Sequence, residues 1–274
     1  MGFHQRIPRP PLDNFVDFLW LWRGDARPHM LERVLPTGAP EIILNLKEDQ
    51  TRTYCPDSGI LREATSGSVF SGVRTRHVVI DTAEQEHVLG VVFKPGGAMH
   101  AYDARDCGVP LDAIWNPRQV STLRDRILSA SDANAALDAM EQTLALMPQP
   151  PNPHRAVSHA VETLQRNPDV TRIAALACAA SLSHKRFIER FKAAVGITPK
   201  RYCRILRFQQ AVRLAHRATE SDWTRVAADC GYFDQSHFIR DFREFSGLTP
   251  AAYRKAVTEF PNHVKFLQYE SAGE

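Results

Sequence analysis

The chain has 274 residues, 43% of them hydrophobic and 24% charged, with a formal net charge of +3 at pH 7. That length and composition predict about two folded domains with real cores and do not fit a disordered chain. The charge is unevenly spread: residues 155–260 hold 18 Lys and Arg against 10 Asp and Glu, and the rest holds 16 against 21. A basic C-terminal part beside an acidic N-terminal one suits a nucleic-acid reader joined to a module with another task.

Five cysteines, Cys55, Cys107, Cys178, Cys203 and Cys230, are scattered and odd in number. Without a CxxC pair they indicate neither zinc nor a disulfide framework, and Cys178 and Cys230 are expected in packed cores. The opening MGFHQRIPRPP has no apolar signal core, and no run approaches 18 apolar residues. A soluble, cytoplasmic protein with no membrane partner is the expectation.

In chain order, residues 1–13 are Pro-rich and read as extended. Phe15–Trp22 is aromatic and branched and reads as a strand, with a helical start near Asp13 as the alternative. Glu32–Leu35, Glu41–Leu46, Ser68–Phe70, Arg76–Ile80 and His87–Phe93 are further β-like runs separated by Gly, Pro, Asp and Ser. Short strands with frequent turns predict an antiparallel barrel or sandwich in an α+β protein of two domains. From Asn116 to Met147 the period lengthens. Val120, Leu123, Ile127 and then Leu137, Met140, Leu144, Met147 mark two amphipathic helices. Four prolines in Met147–Pro153 form a semi-rigid linker. The expected division is 1–147, a linker at 148–154, an all-helical 155–260, and a tail at 261–274 too apolar for solvent.

The helical part is predicted to hold seven helices, near 155–166, 171–179, 183–194, 199–217, 223–230, 235–245 and 250–258. It contains an imperfect repeat. Phe187, Phe191, Gly196, Thr198-Pro199 and Tyr202 recur 51 residues later as Phe238, Phe242, Gly247, Thr249-Pro250 and Tyr253. Upstream the offset is 50, so Leu176-Ala177 matches Val226-Ala227, and Ser181 matches Gly231. Phe238, Phe242 and Phe245, at i, i+4, i+7, share one helix face. Helix, tight turn and such a second helix is the arrangement that enters a DNA major groove. Ser183 and Asp234 are the expected N-caps of the two second helices, and Pro199 and Pro250 suit first-turn positions.

The residues Ala227, Gly231-Tyr232, Asp234, Phe238, Arg240, Phe242-Arg243, Gly247, Thr249-Pro250 and Tyr253-Arg254 resemble the signature of the AraC/XylS family of bacterial transcription regulators. The resemblance covers Arg155–Phe260 strongly and the first 150 residues weakly. It departs at Ser181, where the family often has glycine; serine tolerates a positive φ less well, so strain or a different shape is expected in the first turn. The resemblance implies a sequence-specific, double-stranded DNA-binding regulator with a cupin-like N-terminal effector sensor. It also implies RNA polymerase as a candidate partner. The helix pair at 117–147 either forms a homodimer or packs on the barrel.

A helix from Pro199 to Arg217 would be roughly 28 Å long, holding two reading helices about one duplex turn apart. His184, Lys185 and Glu189, with Gln235, Ser236 and Arg240, lie away from the two phenylalanine spines. Arg240 suits guanine, Gln235 adenine, Lys185 guanine or phosphate, and Ile188 and Ile239 a thymine methyl. Glu189 either accepts from cytosine or pairs internally with Lys185 or Lys192. Lys192, Lys200, Arg201, Arg204, Arg243 and Arg254 are candidates for phosphate contacts.

Glu41, Asn45, Arg74, Arg76 and His77 lie on or beside predicted strands and are the candidate effector contacts. His77, Glu84, Glu86 and His87 lack the spacing of a metal cupin. There is no G-x-S-x-G, P-loop, G-x-G-x-x-G or H-E-x-x-H motif. No catalytic residue, metal or cofactor is therefore expected. Two other readings stay open: an effector-independent regulator whose N-terminal domain makes protein contacts, and an enzyme with a helix-turn-helix tail.

Overall fold

A computed structural model describes residues 2–25, 31–98, 104–148, 154–168, 173–217 and 222–266. The N-terminal strands are β1 (Gly2–Arg6), β2 (Val16–Arg23), β3 (Leu31–Val34), β4 (Glu41–Asn45), β5 (Gln50–Tyr54), β6 (Leu61–Ser66), β7 (Ser68–Ser71), β8 (Val78–Asp81), β9 (His87–Phe93) and β10 (Gly108–Pro110). They form two antiparallel sheets. One runs β1-β2-β9-β4-β7-β10, and the other contains β3-β8-β5-β6. Alternation sorts the side chains of the first sheet. Leu19, Leu21, Ile42, Leu44, Leu89 and Val91 enter a core with α1 (Pro117–Leu128) and α2 (Ala133–Leu146). Trp20, Ile43, Val69 and Val88 face a cavity toward the second sheet. Gly90 is required there, since a Cβ would lie 2.2 Å from the Trp20 indole.

The expected helix pair is present, and its apolar stripe (Val120, Leu123, Ile127, Leu137, Met140, Leu144) is spent on the sheet. Asn116 and Asp132 cap the two helices through their side chains. The hairpin of β5 and β6 escaped the sequence reading because most of its residues are polar and none is fully buried.

The C-terminal part holds α3 (Arg155–Arg166), α4 (Ile173–Ala179), α5 (His184–Val195), α6 (Pro199–Arg217), α7 (Trp223–Asp229), α8 (Gln235–Ser246) and α9 (Pro250–Ala256). Seven helices were expected there. Residues 149–153, most of the expected linker, lie outside the described residues, as do 267–274 of the tail.

The two parts are sewn together, which the expected boundaries did not anticipate. After α9 the chain forms β11 (His263–Lys265), which pairs antiparallel with β3 and so extends the N-terminal second sheet. Leu35 and Val73 from the N-terminal part, and Val264 from β11, lie within the helical core. The Leu35 amide donates to Asn262 O at 2.9 Å, and Gln209 Nε2 on α6 donates to Pro36 O at 2.8 Å. Cys230 is buried as expected. Cys178 is exposed, because it falls on the solvent side of the short α4.

Candidate nucleic-acid interface

Two helix-turn-helix units, α4–α5 and α7–α8, are arranged around α6. In each, the chain leaves the first helix through one left-handed residue: Ser181 at φ 54° and Gly231 at φ 68°. The turns share their hydrogen bonds. Leu182 N donates to Ala177 O and Tyr232 N to Ala227 O, both at 3.0 Å. Serine thus adopts the glycine conformation at the first turn, at a steric cost for an L-residue. The second helices begin at the expected caps, with Ser183 Oγ accepting from Arg186 N at 3.3 Å and an Asp234 carboxylate oxygen from His237 N at 2.6 Å. Both end on a left-handed glycine, Gly196 and Gly247.

The spines are fully buried. Phe187 packs on Phe191 and Phe191 on Tyr202, while Phe238, Phe242 and Phe245 join Phe208, Trp223, Tyr232 and Tyr253 in a cluster of edge-to-face, tilted and stacked rings. The opposite faces are open to solvent. His184, Lys185 and Glu189 are exposed on α5, as are Gln235, Ser236 and Arg240 on α8. Lys200 and Arg243 are exposed as well, and Lys192 and Ile188 are half-buried. Ile239 rests partly against the helical core, which leaves only part of it for a base. Sequence reasoning passed over Arg186 and Arg190, two exposed cations beside the α5 spine. Their charge, on a helix already singled out, was the available signal.

Three expected phosphate contacts are spent internally. Arg204 pairs with Asp241, at 2.7 Å, and with Glu244; the Asp241 side chain is only 1% exposed. Arg201 pairs with Glu244 and donates to Thr75 O at 2.8 Å. Arg254 donates to Ala215 O at 2.7 Å. Arg201 and Arg204 tie α6 to α8, whose Asp241 and Glu244 face it, and Arg254 ties α9 to α6.

The N-terminal candidates divide. Glu41 and Arg74 line the cavity between the sheets. Asn45 also borders it, but its amide is engaged: Nδ2 donates to Gln50 O at 2.7 Å, and Oδ1 accepts from Lys47 N at 3.0 Å. It shapes the β4–β5 turn. Arg76 is exposed. His77 lies at the domain junction rather than in the cavity. Its backbone N donates to Phe245 O at 2.9 Å, and its ring sits where a Cβ on Gly247 would be, 2.5 Å away. Neither ring nitrogen has a partner among the described residues, and burial, with Arg33 nearby, lowers its pKa to about 4. No group of three or more His, Cys, Asp or Glu suited to a metal occurs among the described residues. No helix among them is long and apolar enough to cross a membrane.

This geometry defines a helix-turn-helix protein of the two-unit kind. Residues 176–256 match a family described as a helix-turn-helix domain, and residues 4–105 a domain of unknown function (DUF6597). The chain is 26% identical over 226 residues to the probable transcriptional regulator LumQ of Photobacterium leiognathi, covering 78% of this chain and 89% of that one. It is 31% identical over 98 residues to an HTH-type transcriptional regulator of Haemophilus influenzae, covering 36% of this chain and only 33% of that protein. Among solved structures, ToxT from Vibrio cholerae is similar over 92% of this chain and 97% of that one, at 8% identity and a TM-score of 0.46. The chain thus carries a helix-turn-helix domain and is similar to transcriptional regulators along most of its length. Its relatives are regulators, not enzymes.

Proposed function

We propose that this protein is a sequence-specific regulator that reads double-stranded DNA by placing α5 and α8 in successive major grooves. We propose also that its N-terminal sheets hold a small effector. One observation carries the DNA reading. Both helices bury their phenylalanine spines and leave matched polar faces in solvent: His184, Lys185 and Glu189 on one, Gln235, Ser236 and Arg240 on the other. Arg240 and Gln235 have the chemistry of base readers, and Lys200 and Arg243 that of phosphate contacts. The cavity between the sheets, with Glu41 and Arg74 on its wall, supports the effector reading.

The test is selection of bound sequences from random DNA, followed by titration of variants on the recovered site. Arg240→Ala is expected to lose about 1–3 kcal/mol there and to relax preference at one base pair. Lys200→Ala is expected to weaken all sequences alike and to lower the salt slope by about one. Unchanged binding by the Arg240 variant would remove α8 from the groove.

A further inference from the structure

The two helix-turn-helix units differ in length by one residue. Their repeat is offset by 50 residues before the turn and by 51 after it. The two turns close in the same way, Leu182 N onto Ala177 O and Tyr232 N onto Ala227 O, both at 3.0 Å. The extra residue falls just after them. Leu182 is followed at once by the N-cap Ser183, whereas Phe233 stands between Tyr232 and the N-cap Asp234. Phe233 is therefore the insertion, with no counterpart in the first unit.

Its side chain is 95% exposed, the most of any large hydrophobic among the described residues. An apolar residue just ahead of a cap commonly staples the chain to the fourth residue of the helix. In the first unit Leu182, in that place, packs against the helical core. In the second unit Tyr232 does so instead: it is buried, and its ring lies 5.2 Å from that of Phe238. The Phe233 ring is thus left out of the packing. Its backbone is nevertheless fixed on both sides, by the Tyr232 turn bond and by the Asp234 cap on His237 N at 2.6 Å.

A single exposed apolar residue is ordinary by itself. Its place is what gives it meaning. Residues 233–236 are all exposed, so Phe233 is continuous with Gln235 and Ser236 at the N-terminal end of α8. In a helix-turn-helix the N-terminal residues of the second helix meet the base edges. The major groove offers an apolar target there, the C5-methyl of thymine, which a phenyl ring can cover. The matching exposed run of the first unit, residues 183–186, carries no apolar side chain.

We propose that Phe233 reads thymine: its ring packs on a thymine methyl in the groove that α8 enters, an apolar contact ahead of the helix that α5 lacks. The inference rests on the DNA reading above and adds one reader and the base it takes. Arg240 lies about two helical turns further along, roughly 10 Å, so the thymine sits about three base pairs from the pair that Arg240 reads.

The test is a uracil scan of the site selected from random DNA, bound by the full chain. Uracil pairs as thymine does and lacks only the methyl. At one position, about three base pairs from the pair relaxed by Arg240→Ala, uracil is expected to weaken the wild type about fourfold, the effect of uncovering one methyl-sized group. Phe233→Ser is expected to lose that same factor on the thymine site and nothing more on the uracil site. Phe233→Leu is expected to keep a preference for thymine. Because the ring is in solvent, both variants are expected to unfold at the wild-type urea concentration. A selected site that depends on Arg240 but has no thymine there, or tolerates uracil in its place, would overturn this inference and leave the DNA reading standing. A methyl preference that persists in Phe233→Ser would assign the contact to another side chain and overturn it as well. Recovery of no preferred sequence would overturn the DNA reading and this inference with it.

Discussion

The two helix-turn-helix units share a turn, a capping scheme and a phenylalanine spine, yet they are held in different ways. The second is gripped from α6: Arg204 pairs with Asp241, Arg207 donates to Gly231 O at 3.3 Å, and Gln210 donates to Asp229 O at 3.2 Å. It is also held from the N-terminal half, through His77 on Phe245 and Arg201 on Thr75 O. At the position matching Asp241, the first unit has Arg190, which is exposed. One motif is thus anchored in two ways: the second unit is tied to the sheets through His77 and Arg201, while Arg190, at the matched place in the first unit, stays in solvent.

The sharpest way to break that difference is Arg204→Ala. It strands the buried Asp241 carboxylate, which among the described residues keeps His237 at 3.7 Å. A loss of about 3 kcal/mol in urea unfolding is expected, since removing one partner leaves a buried charge uncompensated. Arg190→Ala, at the matched place, is expected to stay within about 0.5 kcal/mol. Equal effects from the two variants would erase the proposed asymmetry.

The second test uses pH. His77 is held neutral in the folded state by burial first and Arg33 second, with a pKa of about 4 against 6.5 unperturbed. Its contribution to stability is therefore full above pH 6.5 and is lost as the pH falls toward 4, since the unfolded chain binds the proton first. About 2 kcal/mol of stability is expected to disappear across that window. His77→Gln is expected to flatten that part of the acid dependence. Amide exchange in α8 is expected to quicken at pH 5 more than in α5, because the ring rests on Gly247 of the second unit. Parallel changes in both helices would mean that His77 does not hold the second unit in particular.

The helical half was legible because its signals are local. Phenylalanines at helical spacing, Ser183 and Asp234 before them and Gly196 and Gly247 after them are all short-range patterns. The inner and outer faces of the first sheet were half-legible, since alternation reveals two faces without saying which one meets helices and which a cavity. The junction was hidden. Arg201, Arg204 and Arg254 read as surface cations because their partners lie about 40 residues away or are backbone carbonyls. His77 looked like a pocket residue because it neighbours a strand, and only the fold places Gly247 against it. The apolar tail announced that it docks, but β3 as its partner is a pairing between residues some 230 positions apart.

The smallest expected effect isolates the one chemical difference between the two turns. Ser181 at φ 54° holds a conformation that costs an L-residue about 1–2 kcal/mol. Replacing it by glycine removes that strain but adds freedom to the unfolded chain, which returns about 0.5–1 kcal/mol. Ser181→Gly should therefore stabilise the protein by about 0.5 kcal/mol, or roughly 1–2 °C in Tm for a chain of this size. Gly231→Ser should cost at least as much, because the turn it would strain is also the one that Arg207 clamps through its carbonyl. If Ser181→Gly instead destabilised the fold, the serine would have to be making a compensating contact, and the two turns would differ in more than a Cβ.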